Sequence, residues 1–305
     1  MRRKAPWNLK ITTDHPKVDR LTALLQRFPV EARPLFQGTL DVAGTSFLAP
    51  PTGGVLHLIG GAGLLLQGTD VVAHLEGPCV LFLPRAVPHQ LYARSSGGAP
   101  LFSASVDLGA PDDNPLVRAL PALMQVALCD SPELDATCRL LWDEADASRC
   151  AHALLQERAC EVLVIQLLRH AIAQRLMDTG LLSGLADARL MRVLAAVHAD
   201  PAAPWTLPRM AGVAYMSRAR FAAHFSQVLG EAPGEYLSRW RMGLARSLLV
   251  RGLPVKQVAQ ETGYASASAL TRAFARRMGQ PPSQWLAEQR TAAGGRRPMA
   301  GMSSR

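Results

Sequence analysis

The last third of the chain contains one helical unit twice. The segment FAAHFSQVLGEAP (Phe221–Pro233) aligns with LTRAFARRMGQPP (Leu270–Pro282) at a constant offset of 49 residues. Bulky apolar residues coincide at three positions, and a glycine and a proline coincide after them. Apolar residues spaced four apart and followed by glycine predict a helix that ends at that glycine. The region must therefore fold as two copies of the same local structure.

A second, shorter helix is predicted before each copy. These helices cover Leu207–Ala214 and Val255–Thr262, and tight turns separate them from the repeated helices. Ser217 and Ser266 stand where the N-caps of the repeated helices belong. Two helices joined by a tight turn form the helix-turn-helix arrangement, whose second helix enters the major groove of DNA.

The segment between the two units predicts a long connecting helix. Gly234–Val250 carries one apolar stripe and is followed by the helix breakers Gly252 and Pro254. Such a connector holds the two units at a fixed separation. If both second helices enter the major groove from one side of the duplex, they lie about one helical turn, roughly 34 Å, apart.

Basic residues are concentrated in the same region. Residues 183–305 contain 17 Lys and Arg against 6 Asp and Glu, whereas residues 1–182 contain 16 against 18. The formal net charge of +9 therefore comes from the C-terminal part. This asymmetry predicts a nucleic-acid-binding unit joined to a near-neutral unit with another task.

The N-terminal part has the pattern of a compact antiparallel sheet or barrel. After a short helix predicted at Val18–Phe28, brief apolar stretches alternate with turns from about residue 35 to 106. These stretches are Val55–Ile59, Gly63–Leu66, Val71–Leu75, Val80–Leu83 and Leu101–Val106. Helical spacing without glycine follows from Pro115 to Met177, and Asp178–Gly184 is predicted to be a linker.

The predicted helix at Glu161–Met177 is apolar over more than one face. A helix of this kind needs cover on several sides, which either a second copy of the chain or the barrel itself can supply. The helices of residues 110–177 are therefore predicted to mediate a homodimer, with burial against the barrel as the alternative.

Three motifs in the C-terminal region follow a known family pattern. They are AxxxxMS (Ala211–Ser217), FxxxFxxxxGxxPxxYLxxWRMxxAxxLL (Phe221–Leu249) and PVxxVAxxxGYxSxSxLxRAFxRxxGxxP (Pro254–Pro282). On these residues the region resembles the DNA-binding domain of the AraC/XylS family of bacterial transcription regulators. The resemblance covers roughly Leu190 to Arg290 and implies seven helices, so residues 183–291 are predicted to be the DNA-binding domain. The tail at 292–305 is rich in Gly, Arg and Ser and is expected to be disordered.

A motif in the N-terminal part is similar to a strand pattern of cupin domains. The sequence PCVLFLPRAVPHQL (Pro78–Leu91) parallels GDxxxxPxGxPHxL, although Pro78, Cys79 and Ala86 replace the usual Gly, Asp and Gly. The resemblance implies that residues 1–182 form a cupin-type effector-sensing and dimerisation domain. The predicted fold class is α+β, with an N-terminal cupin-like β-barrel, a helical dimerisation segment and a C-terminal all-α domain of tandem helix-turn-helix units.

Helical spacing predicts which side chains of the first repeated helix face DNA. Phe221 and Phe225 turn inward, which leaves Arg218 and Arg220 as the candidates for reading guanine. The other outward positions carry the small side chains Ala219, Ala222, Ala223 and Ser226. The family commonly has arginine at the position of Ala223, so direct reading by this helix is expected to be thin.

The second repeated helix is richer in hydrogen-bonding side chains. Its predicted outward face contains Ser268, Thr271 and Arg272, and Arg272 matches a base-facing arginine of the family. Arg276 and Arg277 lie farther along the helix and are predicted to contact phosphates. The N-terminal amides of both helices, behind the caps Ser217 and Ser266, are expected to contact phosphates as well.

Two histidines of the barrel raise the question of a metal. Cupin enzymes bind a divalent metal through several histidines and a glutamate, and His57 and His89 stand near the matching positions. Because Ile59 replaces the second histidine of the expected pair, and His74 and Glu76 do not restore the motif, no metal and no other cofactor is predicted. His57 and His89 are predicted instead to be satisfied barrel residues or to line an effector pocket.

The five cysteines, none in CxxC spacing, are expected as free thiols in the cytoplasm. A thiol redox sensor that uses Cys79, Cys138, Cys150 or Cys160 is a second interpretation, which requires exposure and a lowered pKa.

The preferred hypothesis is a cytoplasmic, sequence-specific, DNA-binding transcription regulator without catalytic residues. Its expected partners are double-stranded DNA, an unknown small-molecule effector, RNA polymerase and a second copy of the chain, but no membrane. Activation of neighbouring genes is the expected outcome. The alternative is a metal-dependent cupin enzyme fused to a DNA-targeting domain.

Overall fold

A computed structural model describes residue 19 and residues 21–48, 53–85, 87–109, 114–145, 149–177 and 179–294. Two antiparallel sheets form the body of the N-terminal region. The first sheet has the strand order β1-β8-β3-β6-β9, and the second has the order β2-β7-β4-β5. The strands are β1 (Glu31–Leu40), β2 (Thr45–Phe47), β3 (Gly54–Ile59), β4 (Gly63–Gln67), β5 (Asp70–Leu75), β6 (Cys79–Leu83), β7 (His89–Ala93), β8 (Ala99–Asp107) and β9 (Met124–Ala127).

The inner faces of the two sheets enclose a core of aliphatic side chains that includes Leu40, Ile59, Leu65, Leu81 and Leu91. The predicted cupin-like region is thus present as two facing sheets, which are not joined into a closed barrel. Together with the all-helical C-terminal region described below, it confirms the predicted α+β class.

The five predicted apolar stretches correspond to β3, β4, β5, β6 and β8. The pattern does not predict β1, which lies at the edge of its sheet, is mostly exposed and has a register shift between Pro34 and Phe36. None of the five stretches corresponds to β2 or β7. The pattern also misses β9, which adds to the edge of the first sheet beside β6. The expectation of helix throughout 115–177 is therefore wrong at this point, since Met124 and Val126 are buried and Gln125 between them is exposed.

Helices cover the outer face of the first sheet. They are α1 (Thr22–Arg27), α2 (Pro115–Ala119), α3 (Pro132–Ala145) and α4 (His152–Ala173), with one 3-10 turn at Leu128–Asp130. Most apolar side chains of α4 are buried within the chain, among them Leu163, Val164, Leu167 and Leu168. Much of the apolar surface of α4 is therefore covered by the chain's own N-terminal region. This agrees with the alternative prediction, burial against the barrel instead of against a second copy.

Residues 181–184 of the predicted linker belong to a buried helix, α5 (Leu181–Ala186). Leu181, Leu182 and Leu185 are buried because α5 packs against α2 and α4 on one side and against helices of the C-terminal region on the other. The prediction of a linker at 178–184 is therefore wrong from residue 181 onward, and the predicted domain boundary at 182/183 falls inside α5.

Seven helices follow in the described part of the chain, as the family resemblance implies. They are α6 (Leu190–Ala199), α7 (Leu207–Val213), α8 (Arg218–Leu229), α9 (Pro233–Val250), α10 (Val255–Glu261), α11 (Ala267–Met278) and α12 (Pro282–Gly294). The first unit shares one continuous apolar core with α4 and the outer face of the first sheet, whereas the second unit has a separate core around Phe274 and Trp285. The predicted tail lies outside the described residues beyond Gly294, and its first residues, 292–294, belong to α12. None of the helices within the described ranges could cross a membrane.

Candidate nucleic-acid interface

The repeated helices α8 and α11 have the same length and the same ends. The hydroxyl of Ser217 accepts a hydrogen bond from the Arg220 amide at 3.4 Å, and the hydroxyl of Ser266 accepts one from the Ala269 amide at 3.1 Å. Each helix ends at a glycine in the left-handed conformation, with φ of 78° at Gly230 and 77° at Gly279. The offset of 49 residues in the sequence is therefore an equivalence of two complete helices, including both caps.

The inner and outer faces of α8 follow the predicted spacing. Phe221 and Phe225 are buried, and Leu229 continues the buried stripe. Arg218 and Arg220 are exposed at the N-terminal end of the helix. The rest of the outer face is small, because Ala219 and Ala223 are exposed and Ala222 and Ser226 are partly exposed.

The outer face of α11 is more polar. Ser268, Arg272, Arg276 and Arg277 are exposed, while Leu270 and Phe274 are buried. Thr271 is only partly exposed, and its hydroxyl donates a hydrogen bond to the Ala267 carbonyl at 2.9 Å. Its oxygen therefore retains acceptor capacity only.

The arginines of the two helices are available for a ligand. Within the described ranges, none of the guanidiniums of Arg218, Arg220, Arg272, Arg276 and Arg277 has an ion-pair partner. Five unneutralised cations on the two helices that face outward make a surface that attracts a polyanion.

The first helix-turn-helix unit is also held by polar contacts to the segment between α5 and α6, which the sequence pattern does not predict. Asp187, between α5 and α6, accepts hydrogen bonds from the amides of Arg189 and Leu190 and, at 2.9 Å, from His224 Nε2 in α8. Partial burial alone would raise the pKa of Asp187, but these hydrogen bonds outweigh it and lower the pKa. An Asp shortly before an apolar helix is a local signal for hydrogen bonds to the first amides of that helix, whereas its partnership with a residue 37 positions away has no local signal.

The two barrel histidines lie side by side in the interior. Their Nε2 atoms are 2.7 Å apart, His57 Nδ1 lies 2.8 Å from Ser103 Oγ, and His89 Nδ1 lies 2.7 Å from the Val87 carbonyl oxygen. Because a carbonyl only accepts, the proton of His89 is on Nδ1; His57 then donates through Nε2 and accepts from the Ser103 hydroxyl at Nδ1. Burial lowers the pKa of both rings, so this chain of hydrogen bonds holds two neutral histidines.

This arrangement does not fit the divalent metal of cupin enzymes. All four ring nitrogens of His57 and His89 already have hydrogen-bond partners, and the ring of Phe47 packs against both imidazoles. His74 and Glu76 are exposed. Within the part of the chain that the structure describes, no three His, Cys, Asp or Glu side chains form a group that could hold a metal.

Open clefts lie elsewhere on the N-terminal region. One of about 810 Å³ runs between α3 and one end of the first sheet, and its walls include Trp142, Arg139, Gly60 and Pro100. Another of about 970 Å³ lies where α1, α4 and α6 meet. His57 and His89 are buried and contact the ring of Phe47, whereas these two clefts are open to solvent.

Three of the cysteines are unsuited to redox sensing. Cys79, Cys138 and Cys160 are buried, and burial raises the pKa of all three thiols, to about 12 for Cys79 and Cys160. A thiol with so high a pKa provides almost no reactive thiolate at neutral pH. Cys129 and Cys150 are exposed.

Comparison with known proteins agrees with this architecture. A helix-turn-helix domain family matches residues 210–288, and a cupin family matches residues 19–173. The chain is 29% identical over 292 residues to an HTH-type transcriptional regulator of Haemophilus influenzae, covering 88% of this chain and 97% of the relative. It is also 32% identical over 206 residues to a Streptomyces lividans protein described as an AraC-like transcription regulator, covering 63% of this chain and 66% of the relative.

A third relative is the RCS-specific HTH-type transcriptional activator RclR of Escherichia coli, which is 29% identical over 248 residues. This match covers 79% of this chain and 81% of the relative. The two matching domains follow each other in the order that the sheets and helices show. This chain belongs to the AraC-like family of DNA-binding transcription regulators and carries a cupin domain ahead of its helix-turn-helix domain.

Proposed function

We propose that this regulator is an effector-responsive activator that binds double-stranded DNA sequence-specifically as a homodimer, reading it with α8 and α11. The observation that carries the proposal is the pair of identically capped helices whose outward arginines have no ion-pair partner among the described residues. A single exposed arginine is ordinary surface, but exposed arginines on both of two equivalent helices, although at different positions of each, are expected of helices that enter the major groove.

The two helices have unequal roles in this proposal. Arg272 and Ser268 of α11 read base edges, because a guanidinium can bond guanine O6 and N7 together. Arg218 and Arg220 of α8 are the readers of the first helix, and Arg276 and Arg277 hold phosphates. Ser217 and Ser266 act through their caps, since a capped helix N-terminus presents its remaining amides to a phosphate.

Dimerisation is assigned to the solvent side of α3 and α4. Leu140 in α3 and Leu154, Leu155 and Val162 in α4 are large apolar side chains with between 38% and 54% of their surface exposed. Exposed apolar side chains on two helices that pack against each other support self-association. We expect Leu155→Asp to shift the chain from dimer to monomer in sedimentation, whereas Leu48→Asp, at an exposed leucine of the barrel region, should leave the dimer intact.

The cupin domain is proposed to bind a small-molecule effector, with RNA polymerase as the partner in activation and the cytoplasm as the place of action. The relative named as a transcriptional activator supports this direction of regulation. A metal-dependent enzyme is the weaker proposal, because the His57–His89 pair has no ring nitrogen left for a metal.

The test uses the full chain, since the first helix-turn-helix unit shares its core with the cupin domain. The protein selects duplexes from a random-sequence pool, and the enriched sequences are read. We expect two short determinants per copy whose centres lie about 10–10.5 base pairs apart. If a folded, dimeric preparation enriches no sequence over the starting pool, the proposal is contradicted.

A further inference from the structure

We infer that Tyr215, together with Arg192, contacts the sugar–phosphate backbone of DNA beside the first helix-turn-helix unit. Tyr215 lies in the turn between α7 and α8, and Arg192 lies on α6. The inference rests on the proposed reading of DNA by α8 and adds two residues that the helical spacing does not single out.

The first observation is the backbone conformation of Tyr215. The turn after α7 closes with hydrogen bonds from the Tyr215 amide to the Gly212 carbonyl and from the Met216 amide to the Ala211 carbonyl, and φ of Tyr215 is +54°. Side chains with a Cβ are disfavoured in this left-handed region, and bulky ones most of all. The chain nevertheless has an aromatic residue there.

The turn of the second unit has a glycine at its left-handed position. The turn after α10 closes in the same way, with the Tyr264 amide bonded to the Ala259 carbonyl and the Gly263 amide bonded to the Gln260 carbonyl. Its left-handed residue is Gly263, with φ of +72°. Glycine adopts this φ without strain, and at Gly263 the neighbouring backbone of Ala202 also leaves no room for a Cβ; the first unit has a tyrosine at its left-handed position instead.

The side chain of Tyr215 obtains nothing from the core that could offset the strain. It is 82% exposed, and its one described ring contact is the guanidinium of Arg192, 5.3 Å from the ring centre. Strained residues that the fold does not need are concentrated at functional sites. The aromatic ring and the guanidinium are therefore exposed and available to contact a binding partner.

The position of the pair indicates which partner. Tyr215 precedes the Ser217 cap by two residues, so it stands beside the N-terminal end of α8, where Arg218 and Arg220 are also exposed. A tyrosine hydroxyl and a guanidinium are both common donors to DNA phosphates. Because α8 presents alanines at Ala219, Ala222 and Ala223, backbone contacts from this turn would supply affinity that its outer face lacks.

The test separates strain from binding in the full chain. Tyr215→Gly should raise the melting temperature by about 2 °C, because it relieves the left-handed strain, yet weaken binding to the duplex selected by the parent protein about tenfold. A structural role would make both properties move together. Tyr215→Phe should lose most of that affinity if the hydroxyl donates to a phosphate.

Two further variants complete the design. Ala151→Gly relieves an equivalent strain in the cupin domain, where φ of Ala151 is +62°, and it should leave DNA affinity unchanged. Arg192→Gln, at an exposed position that presents no folding risk, should lower the slope of log affinity against log salt by about one.

The inference is overturned if Tyr215→Gly and Arg192→Gln both bind the selected duplex as tightly as the parent. It is also overturned if DNA binding is unchanged but transcription with purified RNA polymerase fails, because the pair would then contact the polymerase. If Arg272→Ala still changes base preference in either case, the proposed reading of DNA stands and only the contact at Tyr215 is lost.

Discussion

The guanidinium of Arg27, at the end of α1 in the cupin region, donates hydrogen bonds to the C-terminal end of α6 at His198, in the helix-turn-helix region. Its Nε lies 2.9 Å from the His198 carbonyl oxygen, and its Nη2 lies 3.1 Å from the Ala199 carbonyl oxygen. The last carbonyls of a helix have no amide partner within the helix, and a cation at this end also interacts favourably with the helix dipole. Next to this contact the ring of Phe28 packs edge-on against Trp240, with centres 5.4 Å apart. The two regions are thus joined at α1 as well as at α5.

Removal of this cap should loosen the contact between the two regions. We expect Arg27→Gln to lower the free energy of unfolding of the full chain by about 1 kcal/mol, since two charge-assisted hydrogen bonds at a partly exposed site are lost. Denaturant titration measures the change. Arg33→Gln, at a side chain that is 74% exposed and 3.8 Å from Glu31, is the matched control and should change nothing measurable. An unchanged value for Arg27→Gln would show that the two Arg27 hydrogen bonds make no measurable contribution to the contact between the regions.

The buried histidines should make the protein less stable in mild acid. Burial lowers the pKa of His57 and His89, and it lowers the pKa of His198 to about 3. Above the unfolded pKa of about 6.5 these rings are neutral in both states and have no effect on stability. Below it the unfolded chain takes up protons that the folded chain refuses, so the free energy of unfolding falls as the pH decreases from about 6.5 toward 4.

Replacing one of these histidines should flatten that slope. His57→Asn should reduce the number of protons taken up on unfolding at pH 5 by about one, whatever its effect on absolute stability. His152→Gln, at an exposed histidine of α4, should leave the slope as it is. Equal slopes for the parent and His57→Asn would mean that His57 is already protonated in the folded protein.

Base preference should depend on Arg272 more than on the arginines of α8. Arg272→Ala should relax preference at one or two base pairs and cost about 1–3 kcal/mol at the selected duplex. Affinities measured across single-base substitutions of that duplex report this effect. If Arg272→Ala keeps the parent preference and Arg218→Ala or Arg220→Ala abolishes it, α8 is the dominant reader instead.

Arg276 and Arg277 should affect all DNA sequences alike. Each change to alanine should weaken binding to selected and unrelated duplexes by the same factor and reduce the salt slope by about one, as the loss of one phosphate contact does. Arg94→Ala, at a half-exposed arginine of the cupin domain 3.5 Å from Glu76, should leave the slope unchanged. A selective loss on the parent's chosen duplex would move these residues from the phosphate to the base edges.

Local signals explain why the C-terminal half could be predicted so fully. The serine caps, the apolar residues four apart and the terminal glycines each act within one or two turns of α8 and α11, so they are complete in the sequence itself. The barrel strands with unbroken apolar runs, such as β3 and β6, were also predictable because both faces of each are buried.

The elements that escaped prediction depend on partners far away in the chain. β9 is a strand because the edge of β6 lies beside it, and α5 is buried because two regions of the protein close around it. Likewise His57 meets His89 across 32 residues and Arg27 reaches His198 across 171. Hydrophobic period and capping are properties of a short segment and therefore stand in the sequence, whereas a hydrogen bond between distant segments exists only after the chain has folded and its orientation has been set. For this protein the sequence by itself determined the tandem helices and their outward arginines; the tertiary structure decided that the barrel histidines satisfy each other and that the first unit is packed against the cupin domain.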